Sequence, residues 1–439
     1  MTSTAPAFSL RSVALAAFLP ATLFALGEGA IIPIIPVVAT SLGASLPFAG
    51  FVAALILVGE LIGDIPSGWL VSRIGERTAM ISAALFSIAG LITCVLAPNP
   101  IVLSVGVFAI GLSTAVFALA RHAFMTSYVP PEIRARALSS LGGVFRLGYF
   151  VGPLLSAGLI HLTGSVQSAF WLHVAGCLGA AITLLLVRDP SAAVASAGTD
   201  AQPGTAAEPV GTEGATLVAA EAHGLFHTLW SYRGVLVKLG SGAALIGAMR
   251  AGRQVMLPLW AVSIGLGASE TALVIGLAGA IDFALFYTSG QIMDRFGRLW
   301  SALPCMIGLG LSYLALSLTH DLDARVGWFV GVAMVMSLAN GVGSGILMTL
   351  GADLAEPSNP APFLGAWRFT GDAGSAAAPL LISAVSALAS IALASGVMGV
   401  LGLIGAGILL RYVPRYAPHT RRPRRGREPV APSRAGEGT

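Results

Sequence analysis

Charged residues are scarce in this chain of 439 residues, of which only 10% are Asp, Glu, Lys or Arg. Soluble proteins contain about 25% charged residues, so this chain has too few charged groups to cover a surface that faces water. Hydrophobic residues make up 56% of the chain, and the mean hydropathy is +0.85. The scarcity of charge therefore excludes an ordinary soluble protein and predicts a membrane protein.

Lysine and cysteine are also scarce. Lys238 is the single lysine among 24 basic residues, and Val237 precedes it, which excludes a phosphate-binding GK[ST] loop. Cys94, Cys177 and Cys305 lie far apart in apolar segments, so they form neither a disulfide framework nor a metal-ligand pattern. The HExxH and GxSxG motifs of common hydrolases are absent as well. We therefore expect no enzyme activity, no bound metal and no cofactor.

Long apolar runs take the place of these missing features. A helix needs about 20 apolar residues to cross the hydrocarbon core of a bilayer, and twelve such runs occur in the chain. We therefore predict an all-α membrane protein with twelve transmembrane helices. The runs lie near residues 13–39, 47–71, 78–97, 101–124, 138–160, 167–187, 236–260, 270–293, 300–318, 326–350, 363–385 and 390–411.

The basic residues between these runs predict the orientation. Most of them lie at the two termini or in connections on the same side as the termini, whereas the other side carries only Arg325. Connections rich in Arg and Lys face the cytoplasm. We therefore expect both termini to be cytoplasmic, in a multi-pass protein of the plasma membrane.

Two low-complexity segments divide the chain. Residues 189–232 are largely small and polar and predict a flexible cytoplasmic linker, and residues 413–439 predict a disordered basic cytoplasmic tail. Between them lie an N-terminal six-helix bundle at 1–188 and a C-terminal six-helix bundle at 233–412.

An internal repeat relates the two bundles. An offset of 222 residues brings Pro, Gly and Arg residues of the two halves into register without a gap, which predicts homologous bundles in the same orientation. In this parallel-repeat arrangement the binding site lies between the halves near the middle of the membrane. The matched pairs are Arg11 with Arg233, Pro36 with Pro258, Ser41 with Ser263, Gly43 with Gly265, Gly68 with Gly290, Arg73 with Arg295 and Gly75 with Gly297.

The loop after each second helix carries a related motif. The two loops read GWLVSRIGER at 68–77 and GQIMDRFGR at 290–298. Both resemble the G-x-x-x-D-R-x-G-R motif of the major facilitator superfamily, which implies two pseudo-symmetric six-helix bundles. The resemblance also implies close helix packing at the first glycine, a tight turn at the second, and a latch between the halves at Asp294, which Ser72 replaces in the first loop. The motif residues are Gly68, Arg73, Gly75 and Arg77, and Gly290, Asp294, Arg295, Gly297 and Arg298.

The fifth helix carries a second motif. Gly148, Gly152 and Pro153 resemble the G-x-x-x-G-P-x-x-G-G signature of the drug:proton antiporters in this superfamily, with small residues at the two final positions. This resemblance implies export of a solute. Close packing of any two helices is the alternative explanation of the two glycines. A second antiporter signature is missing, because Val107 and not Arg precedes Gly111 by four residues.

Charged side chains within the apolar runs are the candidate site residues, because such groups are expensive in a membrane. Glu28 and Arg250 occupy repeat-equivalent positions, and we hypothesise that they form a charge pair across the cavity, with Arg253 on nearly the same helix face as Arg250. In the alternative interpretation, the pair is a permanent structural bridge.

Glu60 and Asp64 share a face of the second helix, and Asp282 is the repeat equivalent of Glu60. Two carboxylates this close are not both expected to be ionised in an apolar environment, which makes them candidates for carrying a proton. Alternatively, Asp64 lies in the wet headgroup region and pairs with a loop arginine.

The other charged residues have more structural interpretations. Arg368 and Asp372 are four residues apart and are expected to neutralise each other. Arg146 has no such neighbour, so Glu28 or Glu60 is its expected partner. Arg121 is expected near the inner surface, with its charged end reaching toward water. Asn340, followed by Gly341, Gly343 and Gly345, predicts a deformable, partly polar segment of the tenth helix.

These features together predict a secondary active transporter that moves a small organic solute by alternating access. Proton-coupled efflux is the favoured direction. Proton-coupled uptake of an anionic metabolite, bound by Arg146, Arg250 and Arg253, is the alternative, and a transporter-like sensor is a third. We expect a proton gradient as the driving force and a monomer in the bilayer without a nucleic-acid partner.

Overall fold

The apolar runs of the sequence are helices in the computed structural model, which describes residues 18–128, 131–186, 228–355 and 361–416. Eleven helices in these residues are long and apolar enough to cross a membrane, and a bent pair of shorter helices supplies a twelfth. The predicted all-α architecture is therefore confirmed. The helices are α1 (Leu19–Ile31 and Ile35–Ser41), α2 (Leu46–Ile74), α3 (Glu76–Val95), α4 (Pro100–Tyr128), α5 (Pro131–Thr163), α6 (Ser168–Leu186), α7 (Arg233–Ser263), α8 (Ala268–Phe296), α9 (Leu299–Thr319), α10 (Arg325–Val342 and Ile346–Leu354), α11 (Ala361–Leu388) and α12 (Ile391–Tyr416).

The described helices extend a few residues past two boundaries predicted from composition. Most of the predicted linker, 189–232, and most of the predicted tail, 413–439, lie outside the described residues. Residues 228–231 at the end of the linker are helical, and α12 continues to Tyr416. The helix extends this far because Val413 is buried and Tyr412 packs against Tyr416, so these residues belong to the bundle.

The repeat is visible in the turns between helices. Gly43 and its equivalent Gly265 have φ angles of 91° and 82°, and Gly75 and Gly297 have φ angles of 79° and 98°. Residues with a side chain rarely adopt this left-handed backbone conformation, so glycine is required at each of the four turns. The predicted tight turns in both loop motifs are therefore present.

The helices of the two halves also pack in the same pattern. In the N-terminal half, α1 packs against α5 and α6, and α4 packs against α2 and α3. In the C-terminal half, α7 packs against α11 and α12, and α10 packs against α8 and α9. The two most extensive contacts between the halves are those of α5 with α8 and of α11 with α2, and the repeat relates one of these contacts to the other. This relation is the signature of a pseudo-two-fold axis between the bundles.

Two helices are interrupted near the middle of their spans. The two segments of α1 meet at an angle of 41° next to Pro33, because a proline cannot donate a helical hydrogen bond. In α10 the residues 343–345 form turns between the two helical segments. This break lies in the glycine-rich segment that the sequence predicts to be deformable, and it leaves backbone carbonyls free for other partners.

The glycines of the fifth-helix motif pack α5 against α1. A Cβ atom at Gly148 would lie 2.7 Å from the backbone of Ala25, and one at Gly152 would overlap the carbonyl oxygen of Leu26. The alternative interpretation of this motif, close helix packing, therefore describes its observed contacts.

The two halves meet at one end of the bundle. We call the end with the turns at Gly75 and Gly297 the motif end, and the end with the turns at Gly43 and Gly265 the opposite end. At the opposite end, Ser269 donates a hydrogen bond to the Ala157 carbonyl (3.0 Å). There, too, Ser383 donates one to the Pro47 carbonyl (2.7 Å). The space between the halves is therefore closed at the opposite end.

Candidate functional site

Three cavities are lined by described residues, and the largest of the three lies between the two halves. It has a volume of about 320 Å³ and is lined by residues of α1, α5, α7, α8 and α10. Four charged side chains reach it: Arg146, Arg250, Arg253 and Asp282. Gly142 lines the cavity on the side of the motif end, and it is exposed. The predicted location of a binding site, between the halves near mid-membrane, thus coincides with a charged cavity.

Two smaller cavities continue from the first along α2 and α11. The second has a volume of about 280 Å³ and shares Tyr149, Arg250 and Gln254 with the first. The third has a volume of about 70 Å³ and shares Glu60 and Asp372 with the second. Asp64 and Arg368 also line the third cavity. The candidate acids of α2 and the charged pair of α11 are therefore next to each other.

Arg253 and Asp282 form an ion pair in the wall of the largest cavity. Arg253 Nη2 lies 2.7 Å from Asp282 Oδ2, and each side chain is only 13% exposed. Arg253 also donates to Ser337 Oγ (2.5 Å), and Asn340 Nδ2 donates to both oxygens of Asp282 (2.8 and 2.7 Å). Because a buried charge is stable only when it is paired and hydrogen-bonded, this cluster joins α7, α8 and α10 firmly.

Arg250 and Arg146 are held by carbonyl oxygens at the break in α10. Arg250 Nη2 donates to the Gly343 carbonyl (2.5 Å), and Arg146 Nη2 donates to the Ser344 carbonyl (3.2 Å). Arg146 also stacks 4.8 Å above the centre of the Phe286 ring. The expectation that Glu28 or Glu60 pairs with Arg146 was therefore wrong, because the helix break offers closer acceptors.

Glu28 lies in the N-terminal half and is fully buried. Its carboxylate accepts hydrogen bonds from Thr114 Oγ1 (2.9 Å) and from the Tyr149 hydroxyl (3.0 Å). The hypothesised ion pair with Arg250 is not formed between these described residues. Each residue instead forms hydrogen bonds within its own half, Glu28 with two hydroxyl groups and Arg250 with a carbonyl.

The charged residues of α2 and α11 differ in how they are paired. Arg368 Nε lies 3.3 Å from Asp372 Oδ2, so the predicted bridge within α11 is present. Glu60 has no hydrogen bond or ion pair to any residue that the structure describes. The same holds for Asp64, which is partly exposed in the smallest cavity. The pairing of Asp64 with a loop arginine is therefore absent from the described residues.

Arg121 is partly exposed, and much of its guanidinium lies against an aromatic ring. Its guanidinium stacks 3.6 Å above the centre of the Phe145 ring. Its Nε and Nη1 atoms are buried and have no hydrogen-bond partner in the described part of the chain. The aromatic ring of α5 provides a closer favourable contact than the membrane surface does.

The arginines of the loop motifs bind within their own halves. Arg77 donates to the carbonyls of Leu184 and Leu185 (2.7 and 3.2 Å). Arg298 donates to both oxygens of Asp353 (2.7 and 3.2 Å), and this hydrogen bonding raises the pKa of Arg298. The other two arginines stack on ring systems of their own helices, Arg73 on Trp69 and Arg295 on Phe296.

Two roles that the resemblance implies for the loop motif are not observed among the described residues. The side chain of Asp294 is 84% exposed, and its ion pair is with Arg298 in the same half (3.5 Å). No ion pair joins Asp294 to the other half in the part of the chain that the structure describes. Gly68 is buried, but a Cβ atom at Gly290 would have no described atom within 4 Å, so close packing does not require that glycine.

Sequence reasoning missed several polar and aromatic residues of the site. Thr114, Tyr149 and Ser337 bind the buried charges, and Gln254 lines two of the cavities. Tyr149 stands within the fifth-helix motif, directly after Gly148, and Gln254 directly follows Arg253. These neighbouring positions could have drawn attention to Tyr149 and Gln254. Only the structure shows that both residues line the same cavities.

Comparison with known proteins supports this architecture. The family model described as the Major Facilitator Superfamily matches residues 17–379 and 239–436. A solved structure of a D-xylose-proton symporter covers 94% of this chain with a TM-score of 0.70 and 16% sequence identity, and 100% of that structure is covered in turn. A transporter of the POT family, in complex with a thioalcohol-conjugated peptide, is similar with a TM-score of 0.73, 13% identity and coverage of 93% and 97%. At these identities the similarity shows the fold alone.

Curated relatives match over shorter segments. They include the facilitated glucose transporter member 8 of solute carrier family 2 from Bos taurus, 29% identical over 139 residues, which are 32% of this chain and 27% of the relative. The galactose-proton symporter of Escherichia coli K12 is 25% identical over 171 residues, 39% of this chain and 36% of the relative. The gallate transporter of Pseudomonas putida is 26% identical over 148 residues, 33% and 32% of the two chains. The chain thus spans only about a quarter to a third of these relatives.

These relatives are named transporters and symporters and not enzymes, which confirms the expectation that the chain is not an enzyme. They support the superfamily resemblance but do not single out the drug:proton antiporter branch that the fifth-helix motif implies. The observed packing of Gly148 and Gly152 against α1 accounts for that motif without reference to export.

Proposed function

The chain belongs to the Major Facilitator Superfamily, and from this membership we propose that it moves a small organic solute through the cavity between its halves by alternating access. We propose further that the movement is inward and is coupled to protons. The observation that carries the proposal is the charged cavity at the interface, lined by Arg146 of one half and by Arg250 and Asp282 of the other. Such a position lets a bound solute contact both bundles as they rock about it.

The direction of transport is supported by the names of the relatives. The segment that matches the galactose-proton symporter makes up 39% of this chain. A symporter moves its solute in the same direction as the protons, and we take that direction to be inward. Efflux, the direction favoured by the fifth-helix motif, is the competing proposal. Its main support weakens because Gly148 and Gly152 serve helix packing. We place the protein in the plasma membrane, as a monomer, with both termini in the cytoplasm because basic residues concentrate in the connections on that side.

Glu60 is the proposed carrier of the coupling proton. It lines the second and third cavities and has no partner among the described residues. Glu60 is only partly exposed, and a carboxylate without an ion pair or hydrogen bond in such a place is more stable when it binds a proton. Glu28 differs because two hydroxyl groups hold its carboxylate. Release and uptake of a proton at Glu60 would therefore disturb fewer contacts.

Flux measurements in proteoliposomes test this proposal. The full chain is reconstituted, a pH gradient is imposed, and the uptake of labelled sugars, polyols and organic acids is followed. We expect accumulation of at least one solute in the direction of proton flow. Accumulation against the direction of proton flow would instead support efflux, and the absence of movement across the panel would contradict the transporter proposal.

The Glu60→Gln variant tests the coupling site. Gln cannot release a proton, so we expect exchange of solute across the membrane to remain while accumulation driven by the pH gradient is lost. Glu270→Gln is the matched control, because Glu270 is exposed at the start of α8, outside all three cavities. A Glu60→Gln variant that still accumulates solute under a pH gradient would remove Glu60 from the coupling mechanism.

A further inference from the structure

The largest cavity contains two arginines that form no ion pair with a described acidic residue. Arg253 is paired with Asp282, but Arg146 and Arg250 form no ion pair with any carboxylate of the described residues. Their hydrogen-bond acceptors are the consecutive carbonyls of Ser344 and Gly343 at the break in α10. Two guanidinium groups from opposite halves thus converge on one point of the cavity, with about two positive charges left for an anion.

Several polar atoms around this point lack partners. Arg250 Nε, Arg253 Nε and Ser344 Oγ are each buried without a hydrogen bond to the described residues. Buried donors without acceptors are rare and cost free energy. A carboxylate has two acceptor oxygens that match the planar guanidinium. Its charge-assisted hydrogen bonds are about twice as strong as those to a neutral carbonyl, so a ligand carboxylate would displace the Gly343 and Ser344 carbonyls.

The wall facing the arginines is aromatic. Phe145, Tyr149, Phe150 and Phe283 line the same cavity. Phe150 of α5 and Phe283 of α8 stack with their ring centres 6.0 Å apart, so both halves contribute aromatic rings to the lining. Flat rings pack well against such rings in offset or edge-to-face arrangements. A sugar would need many hydrogen-bonding groups here. The cavity offers few uncharged polar side chains, chiefly Gln254 and Asn340.

The volume limits the size of the ligand. At about 320 Å³, the cavity is near the lower end of the range of about 300–1,000 Å³ that is typical of small-molecule sites. A single ring with one short acidic substituent is of suitable size for a cavity of this volume.

From these contacts we propose that the transported solute is a small aromatic carboxylate. Its carboxylate binds between Arg146 and Arg250, and its ring lies against Phe150 and Phe283. This inference rests on the proposed function, because it names the substrate class of that transporter. It also assigns Arg250 and Arg146 as the residues that determine specificity for an anion.

Binding to the purified full-length protein in detergent tests the substrate class without transport. Isothermal titration calorimetry compares benzoate with benzamide, which has the same ring but no charge, and with cyclohexanecarboxylate, which has the charge but no aromatic ring. D-Xylose is the uncharged polyol. We expect benzoate to bind most tightly and benzamide to bind more weakly by about tenfold or more, since it lacks charge-assisted hydrogen bonds. Benzamide binding as tightly as benzoate, or D-xylose binding in the absence of benzoate binding, would overturn the inference.

A pair of arginine variants locates the site. Arg250→Gln is expected to weaken benzoate binding by about tenfold or more. Arg295→Gln, which alters an arginine that stacks on Phe296 outside the cavity, is expected to leave it unchanged. Equal benzoate affinity in the two variants would contradict the placement, and the comparison of ligands on the unaltered protein decides the substrate class even if Arg250→Gln does not fold.

The transporter proposal and the substrate inference fail in different ways. Benzoate that binds but is not moved by a pH gradient in proteoliposomes supports the substrate site and contradicts the proposed function. A sugar that is moved, while benzoate neither binds nor competes, supports the proposed function and overturns the inference.

Discussion

The ion pair between Arg253 and Asp282 is the best-connected charge cluster of the site, with a separation of 2.7 Å and further hydrogen bonds to Ser337 and Asn340. Its formation requires three helices, α7, α8 and α10, to be in place. We therefore expect the C-terminal half to be especially sensitive to substitution of Arg253 or Asp282.

Asp282→Ala is predicted to destabilise the protein by about 3–5 kcal/mol, because it leaves the charge of Arg253 buried without a partner. Unfolding in detergent, followed by circular dichroism, measures the effect. The double variant Arg253→Met with Asp282→Leu removes both charges, and we expect it to recover most of the lost stability. An Asp282→Ala protein as stable as the unaltered chain would show that the pair contributes nothing to the fold.

Charge pairs within one helix could be predicted from the sequence, and pairs between helices could not. Arg368 and Asp372 are four residues apart, and the helical repeat alone brings them together. Glu28 and Arg250 are also matched in the repeat, but that match gives their positions on equivalent helices and not the direction of their side chains. The hydroxyl groups of Thr114 and Tyr149 and the carbonyl of Gly343 were closer partners.

At the glycines of the fifth-helix motif, α5 packs closely against α1. The Gly152 position faces the backbone of α1, whereas Gly158, on the same helix, is exposed and would have no described atom within 4 Å of an added Cβ. The two glycines therefore differ in packing but not in secondary structure.

Gly152→Ala is predicted to lower the free energy of unfolding by about 1–3 kcal/mol, because α1 must move away from the new methyl group. Gly158→Ala, the matched control, is predicted to be neutral or to stabilise the protein by up to about 1 kcal/mol, because alanine favours helix. Unfolding midpoints of the two variants, measured side by side in detergent, check both values. Equal midpoints would contradict the packing role of Gly152.

At the scale of elements, composition predicted the twelve spans and the glycine-rich flexible segment of α10. It could not predict that residues 343–345 are turns, nor that the carbonyls of Gly343 and Ser344 hold arginines from two different halves. The exact ends of helices also depend on tertiary contacts, as the burial of Val413 in α12 shows.

The whole molecule consists of two similar bundles that touch at the opposite end. The repeat at an offset of 222 residues predicted this symmetry, and the exchanged contacts of α5 with α8 and of α11 with α2 agree with it. The sequence contains no information on which end is closed, because the halves of an alternating-access transporter must be able to meet at either end. The hydrogen bonds of Ser269 and Ser383 provide that information here.

In the proposed alternating-access mechanism, the halves must separate at the opposite end for a solute to pass. A reversible cross-link tests it most directly. Ser269 and Ala157 approach each other there from opposite halves, and the native cysteines Cys94, Cys177 and Cys305 are buried. We therefore expect that a double variant, Ala157→Cys with Ser269→Cys, can be cross-linked by a short thiol reagent that a reductant cleaves.

Solute flux into proteoliposomes is measured before cross-linking, after cross-linking and after reduction. The two variants that carry only one of the two substitutions are treated in the same way. Our account predicts that cross-linking stops flux in the double variant, that reduction restores it, and that the single variants are unaffected. Full flux through the cross-linked double variant would contradict alternating access between these two halves.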